Sequence, residues 1–449
     1  MTWPAAASRV RSAAGADRRL LHAPRRVPAR RPALGPALAL VLALAVASAW
    51  APARAAAAPP VLTARAGVLI APQTGQTLYG ANADSELPIA STTKLMTALV
   101  VLQHVHDLGT VFSAPNYYAA PSDSQIGLVP GERMTVRDLL VALMLPSADD
   151  AAEDLAYNIG RGPGYGSLAA AVAHFVSMMN VQARALGLRQ THYSTPSGLD
   201  TPGNYSTAAD LVKLATYDMT HSPFLDQIMA LPRAVLQSGN QVRDVINRND
   251  LVGRFSWIDG VKTGHTQAAG YVLVASGERE GMRLTDAVLG TASASSRDAN
   301  ALALLDYGFA NFRLLTPVRS GEILARPSIQ YRSGRRAPLI AAGAVRQVVP
   351  RGAAVRLKVS APQQLTGPLP RHAVLGTATV FVNGRAAARV RLLLARALPE
   401  VSPLSIAAGF IFRPLPLLVV ILLAGGGVAL ALRVRQRRRT RDKRGLRPA

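Results

Sequence analysis

Ser91-Thr92-Thr93-Lys94 sets a hydroxyl and an amine three residues apart, at the head of an apolar series made by Leu95, Leu99 and Leu102. That spacing predicts a helix over residues 94–105. Residues three apart on a helix share a face, so Lys94 can reach the Ser91 hydroxyl. Two short stretches follow in order, Ser147-Ala148-Asp149 and Lys262-Thr263-Gly264. Each alone is weak: a serine three residues before a lysine is most often a helix cap beside a surface cation, and Lys-Thr-Gly an ordinary turn. Three in order on matching elements, behind an export signal, point instead to an active-site serine.

The chemistry needs these residue types. A serine hydroxyl is a weak nucleophile and requires a base. Lys94 serves as that base only if it is neutral part of the time, which partial burial and a second nearby cation favour. Lys262 is the candidate second cation. Ser147 is expected between the two lysines, relaying a proton to the leaving amine. Lys262, Thr263 and Gly264 open an edge strand along a cleft, where Gly264 lets substrate backbone approach. The backbone N–H groups of Ser91 and His265 are the candidate oxyanion hole.

Composition narrows the field. The 449 residues allow two or three domains, and the absence of cysteine excludes disulfides, thiolate metal sites and a cysteine nucleophile. The net charge of +24 suggests nucleic acid until it is divided along the chain. Residues 1–32 hold eight arginines and one acid, residues 433–449 nine basic residues and one acid, and residues 323–399 thirteen basic residues and no acid. Residues 33–322, which carry the motifs, hold nineteen basic and twenty-three acidic residues. The basic ends therefore read as membrane-topology signals, and no nucleic-acid module is apparent. His104 and His106 lack the spacing of a zinc helix, so no metal or other cofactor is expected.

The organisation follows from the same patterns. Residues 1–57 read as a basic leader and signal peptide, with the small-x-small pattern Ala53-Arg54-Ala55. An α/β-patterned catalytic domain occupies 58–316, and a β-rich domain 317–400. A membrane-proximal segment and transmembrane helix fill 401–432, and a basic tail 433–449. The apolar run 415–432 spans about 27 Å as a helix, close to one hydrocarbon core. Its following arginines place the tail in the cytoplasm and everything before the run outside. Within the first domain, the turn at 72–75 joins two strands, and Thr135 with Asp138 predicts a capping box before a helix over 136–145. Phe175, Met178, Met179 and Leu186 mark another helix, its methionines core filler. Strands are expected at 270–276 and 283–289, then a helix over 297–312 with Leu302, Leu305 and Phe309 inward. Further on, 355–359 alternates as a strand with one buried face, and Asn383-Gly384 marks a hairpin.

Taken with Leu145-Pro146-Ser147-Ala148-Asp149-Asp150-Ala151, Ser197-Gly198-Leu199-Asp200, Tyr205-Ser206-Thr207-Ala208 and Asp259-Gly260-Val261-Lys262-Thr263-Gly264-His265-Thr266, the chain resembles the D-alanyl-D-alanine carboxypeptidases, the low-molecular-mass penicillin-binding proteins. The resemblance covers roughly residues 60–400. It implies an α+β fold of the serine β-lactamase/penicillin-binding-protein type, an antiparallel sheet flanked by helices, then a small all-β domain and one C-terminal transmembrane helix. It implies that Ser91 is acylated, Lys94 is its base and Ser147 the relay, with Asp149, Lys262, Thr263, Gly264, His265 and Arg297 binding substrate. Arg297 would grip the substrate's terminal carboxylate. The implied partners are the peptidoglycan stem peptide, β-lactams as covalent inhibitors, and the membrane.

Asp149 departs from the family's usual asparagine. An amide donates to a substrate carbonyl, whereas an ionised carboxylate only accepts and also favours the ammonium of Lys94. Two expectations follow: slower acylation with a shifted pH optimum, or a carboxylate that binds Lys94 and changes little. Asp149 also keeps open a non-catalytic penicillin-binding scaffold. A β-lactamase is a further alternative, opposed by the missing Glu-x-x-Leu-Asn segment, the extra β domain and the anchor. The cationic β-rich domain is expected to space the catalytic unit from the bilayer, or to hold it against anionic lipid or wall polymer.

Overall fold

Near-continuous burial along three long strands builds a sheet covered on both faces. The structure, a computed structural model, describes residues 57–332, 334–403, 406 and 414–444. The expected leader and signal peptide lie outside the described residues, apart from Ala57.

Strands β1 (Ala66–Ala71) and β2 (Gln76–Ala81) form an antiparallel hairpin around the predicted turn. A 3-10 turn, Ala90–Thr93, runs straight into helix α1 (Lys94–His104). The small hairpin β3 (Val111–Ser113) and β4 (Arg133–Thr135) precedes α2 (Val136–Met144), α3 (Asp149–Gly160) and α4 (Leu168–Ala185). Next come α5 (Ala208–His221), α6 (Pro223–Met229), the hairpin β5 (Arg233–Leu236) and β6 (Arg243–Ile246), and the short α7 (Asp250–Arg254). The long strands β7 (Ile258–Thr266), β8 (Gly270–Arg279) and β9 (Met282–Thr291) lead to α8 (Ala294–Asn311).

The main sheet runs β2-β1-β9-β8-β7, antiparallel at every pairing, with the Lys262 strand at its edge. Val272 and Val274 of β8 enter one core with helices α1–α6, while Leu273 and Ala275 enter a second with α8. Both faces are thus buried, as a helix–sheet–helix layering requires. Met179 is fully buried and Met178 packs against the same core, as filler.

Three local expectations change. The Thr135 hydroxyl accepts from the Asp138 N–H, but the Asp138 carboxylate does not return the bond. It accepts instead from the N–H of Gln237 and the N–H and hydroxyl of Ser238, so it tethers the β5–β6 hairpin. In α8 the inward face is wider than Leu302, Leu305 and Phe309: Ala301, Leu304 and Gly308 are also buried, and Leu302, half-buried, packs against the same core. The third concerns residues 355–359, described next.

After α8 come β10 (Phe312–Val318), β11 (Ile323–Ala325), β12 (Ser328–Ile329), β13 (Leu339–Ala341), β14 (Val345–Pro350), β15 (Val355–Ser360), β16 (Gln364–Leu365), β17 (Val374–Val382) and β18 (Arg385–Leu394). Five of them form a sheet ordered β11-β13-β18-β17-β15, while β10 pairs with β14 and β12 with β16. Strand β10 runs through Thr316-Pro317. Asn383 and Gly384 have φ of 48° and 79°, the positive values that a two-residue type I′ hairpin requires. β15 was expected to bury one face; only Val355 is half-buried and the rest are exposed, because β15 is an edge strand paired with β17 alone. Helix α9 (Pro414–Arg444) ends the described chain, and its segment Leu417–Arg438, 22 residues, is long and apolar enough to cross a membrane.

Candidate active site

The 3-10 turn presents Ser91 at the mouth of a cleft of about 500 Å³. One turn into the protein Lys94 is fully buried, and its Nζ lies 3.0 Å from Ser91 Oγ, 2.5 Å from Asp149 Oδ1 and 2.5 Å from the Ser197 carbonyl. Three acceptors match the three hydrogens of an ammonium. The same positions suit a neutral amine that donates to Asp149 and Ser197 and accepts from the Ser91 hydroxyl. The Ser197 segment is braced to α1: Thr97 Oγ1 donates to the Pro196 carbonyl at 2.6 Å, and Asn204 Nδ2 donates to Thr93 Oγ1 at 3.0 Å.

Ser147 is buried just before α3 with φ of 68°. Such left-handed backbone is strained for a serine and marks a position where structure is sacrificed to orientation. Its Oγ has no hydrogen-bond partner among the described residues, so the expected contact with either lysine is not made in this structure. Arg248 Nε donates to the Pro146 carbonyl at 2.7 Å and fixes the approach to Ser147. The Asp149 N–H donates to the Ser124 carbonyl at 2.7 Å. The Asp150 carboxylate accepts from the N–H groups of Ile126, Leu128 and its own neighbour Ala151. Together these bonds moor the Ser122–Ser124 rim to the start of α3.

Strand β7 closes the other wall. Lys262 is fully buried, and among the described residues its Nζ donates only to the Thr263 carbonyl, at 3.2 Å. Thr263, Gly264 and His265 line the cleft, with the His265 ring stacked on Tyr271 at 4.0 Å. Gly264 was expected to make room for substrate; the structure gives it a different neighbour. A Cβ there would stand 3.0 Å from the Ser91 N, 3.0 Å from the Ala90 Cβ and 3.1 Å from the Ile89 carbonyl oxygen. The missing side chain lets the strand lie against the nucleophile's own turn, bringing the two candidate oxyanion-hole segments together. Gly264→Ala is expected to push them apart, costing about 1–3 kcal/mol of stability and slowing acylation by roughly 10²-fold. Thermal melts and stopped-flow penicillin acylation measure the two effects.

Arg297 in the first turn of α8 lines the same cleft, so the structure brings Ser91, Ser147, Thr263, Gly264, His265 and Arg297 to one opening, with Lys94, Asp149 and Lys262 behind. The Arg297 Nε and Nη2 are both held by Asp298 Oδ1 at 2.8 Å. Sequence reasoning missed Ser122, Asp123, Ser124, Arg248 and Asp250 of the cleft lining, and gave Tyr271, in the stretch Ala269-Gly270-Tyr271 that follows the Lys262 motif, no role. None of the missed residues sits in a spacing pattern; only folding brings them in.

Burial disfavours charge throughout this interior. It pushes Lys94 below the ordinary lysine range, against the pull of Asp149, and pushes Lys262 far lower, aided by the Lys94 charge. It raises Asp149 against the pull of Lys94. One turn along α3, burial and then Asp149 push Glu153 up to about 7, and burial pushes Asp154 up to about 7. Both acids hold protons in the fold that the unfolded chain has already released. Their contribution to stability is therefore complete below about pH 4 and is lost as pH rises through about 7. The melting temperature is expected to fall across that window. Calorimetry of Glu153→Gln with Asp154→Asn should show a flatter slope.

The chain matches the profile of the D-alanyl-D-alanine carboxypeptidases over residues 53–293. It is 36% identical to a D-alanyl-D-alanine carboxypeptidase of Streptomyces sp. strain K15 over 261 residues, covering 56% of this chain and 89% of that protein. It is 33% identical to the D-alanyl-D-alanine carboxypeptidase DacC of Escherichia coli K12 over 340 residues, 73% of this chain and 82% of that one. Among solved structures it resembles penicillin-binding protein 5 of Haemophilus influenzae, with a TM-score of 0.64, 28% identity, and coverage of 77% of this chain and 100% of the other. It also resembles the Streptomyces K15 DD-transpeptidase, with a TM-score of 0.54, 34% identity, and coverage of 57% and 100%. The serine–lysine pair, the covered antiparallel sheet and these likenesses agree, and the chain belongs to the D-alanyl-D-alanine carboxypeptidase family.

Proposed function

We propose that this chain is a serine-type carboxypeptidase that removes the terminal D-alanine of peptidoglycan stem peptides through an acyl-enzyme on Ser91. The observation that carries the reading is the buried Lys94 amine 3.0 Å from the Ser91 hydroxyl. Neutral Lys94 takes the Ser91 proton as Oγ attacks the penultimate D-alanyl carbonyl. The developing oxyanion is met by the Ser91 and His265 N–H groups. The C–N bond then breaks, and D-alanine leaves with a proton returned from Lys94 through Ser147, a step that requires the Ser147 hydroxyl, unpartnered among the described residues, to turn toward Lys94. Water hydrolyses the ester and restores Ser91.

Arg297, with Thr263 and His265, receives the terminal carboxylate. Burial, with the Arg248 charge adding to it, keeps Lys94 from holding its proton tightly, and Gly264 keeps β7 against the turn. Asp149 takes the place of an amide and acts as the partner of Lys94. β-Lactams acylate the same serine. The scaffold and β-lactamase alternatives are not favoured by the family or by the serine–lysine geometry.

Likeness to a DD-transpeptidase supports a second fate for the acyl group, transfer to an amine in place of water. One experiment separates these outcomes. The purified chain is incubated with a D-Ala-D-Ala-terminated pentapeptide, with and without glycine as acceptor. Free D-alanine with tetrapeptide supports hydrolysis, and a glycine adduct supports transfer. Absence of both, together with no covalent penicillin adduct, sinks the reading.

The remaining organisation belongs to the same proposal. Residues 1–57 act as leader and export signal, 58–316 carry the reaction, and 317–400 form a spacer. The helix that begins near Leu417 anchors the chain in the cytoplasmic membrane in a single pass, with the catalytic part on the outer side and the arginine-rich tail inside. Support comes from the length and composition of that helix and from the charge that follows it.

A further inference from the structure

The outward face of the β11-β13-β18-β17-β15 sheet carries cations that the proposed reaction does not use. Pairing aligns Lys358, Thr379 and Arg389 in one row across β15, β17 and β18, and Ser360, Thr377 and Arg391 in the next. Arg356 stands opposite Phe381, one row further on. Directly paired residues share a face, and faces alternate along each strand. The alternate residues Ala378, Val380, Leu392 and Leu394 are buried core, so Arg356, Lys358, Arg389 and Arg391 share the outer face, and all four are exposed.

Neighbouring rows and strands put each of these charges about 7–10 Å from its nearest neighbour in the set, Arg356 and Arg391 being the most distant at about 17 Å. None takes part in an ion pair among the described residues, and residues 323–399 contain no Asp or Glu. Uncompensated like charges at such spacing repel, within one Debye length at ordinary ionic strength. A surface of this kind gains most from a flat array of anions, and a guanidinium binds phosphate in a forked geometry.

We propose that this face rests on an anionic lipid surface, its arginines against lipid phosphates. Chain length confines the choice. The last bridged residue after the sheet is Leu398, and the apolar span begins at Leu417. The intervening chain reaches at most about 65 Å even when fully extended. A sheet so tethered stays close to headgroups, where each cation near an anionic surface adds attraction. This step rests on the membrane-anchor reading, and the test separates the two.

The chain has no cysteine, so Ser360→Cys gives one labelling site on the same face. The full-length labelled protein is reconstituted into vesicles carrying a headgroup energy acceptor, either pure phosphatidylcholine or a mixture with phosphatidylglycerol. Energy transfer is expected to be at least about twofold higher with phosphatidylglycerol. It should fall to the phosphatidylcholine level in high salt. It should fall equally in the variant Arg356→Gln, Lys358→Gln, Arg389→Gln, Arg391→Gln. Equal transfer in both lipids, or transfer indifferent to salt and to the four substitutions, overturns the proposal. So does binding to poly(glycerol phosphate) with no response to lipid charge. Failure to float with phosphatidylcholine vesicles would count against the anchor alone; flotation with phosphatidylglycerol vesicles then still reads the cationic face.

Discussion

Ser91→Ala is expected to abolish the covalent penicillin adduct and to lower D-alanine release by about 10³-fold or more. The substitution should leave folding unchanged. Ser91 is only half-buried, and its described side-chain bond is the one from Lys94; a change of that kind away from packed core shifts stability by about 0.5 kcal/mol or less. Intact-protein mass spectrometry after penicillin treatment reads the adduct, and a melting curve reads the fold. A variant that melts normally yet still gains the penicillin mass would move the nucleophile away from Ser91.

Asp149→Asn should have the second largest effect, and in the opposite direction. The carboxylate 2.5 Å from Lys94 Nζ is the main force opposing burial in setting the charge of that amine. Removing it frees the amine to lose its proton at lower pH. The acid limb of the acylation profile is expected to move down by one unit or more, from the usual size of such a charge effect of about 1–3 units. Acylation near neutral pH should rise. The new amide would also offer a donor to a substrate carbonyl, which a carboxylate cannot. Breaking a buried ion pair ordinarily costs about 3–5 kcal/mol; here the loss should be smaller, because the stranded lysine can simply become neutral. A pH profile of penicillin acylation that matches wild type in position and height would exclude Asp149 as the group holding the Lys94 proton.

The parts of this site visible in the sequence are those that depend on local geometry. Ser91 and Lys94 are one helical turn apart, so their contact follows from spacing alone. Asn383-Gly384 fixes its own hairpin by backbone preference. Other features needed the fold. Glu153 looks like an ordinary helix acid until burial raises its pKa. Arg248 reaches the cleft through a loop whose sequence, Asn247-Arg248-Asn249-Asp250, carries no periodic signal. Asp138 has the spacing of a capping box, but a hairpin about a hundred residues downstream outcompetes the local partner. The alternation in 355–359 is real, yet alternation cannot say whether a strand lies inside a sheet or at its margin.

The two glycines that flank the nucleophile's turn have a consequence for how this enzyme can change. A methyl group at Gly198 would sit 2.1 Å from the Ala90 carbonyl oxygen, and one at Gly264 would sit 3.0 Å from the Ser91 N. The first position also has φ of 89°, which disfavours any other residue. Neither site can drift by even one carbon without moving Ser91. Variation that alters substrate preference, or that lets the enzyme escape an antibiotic while keeping its reaction, is therefore channelled to the rim: Ser122, Asp123 and Ser124 can be exchanged one at a time while the turn between the glycines stays where it is.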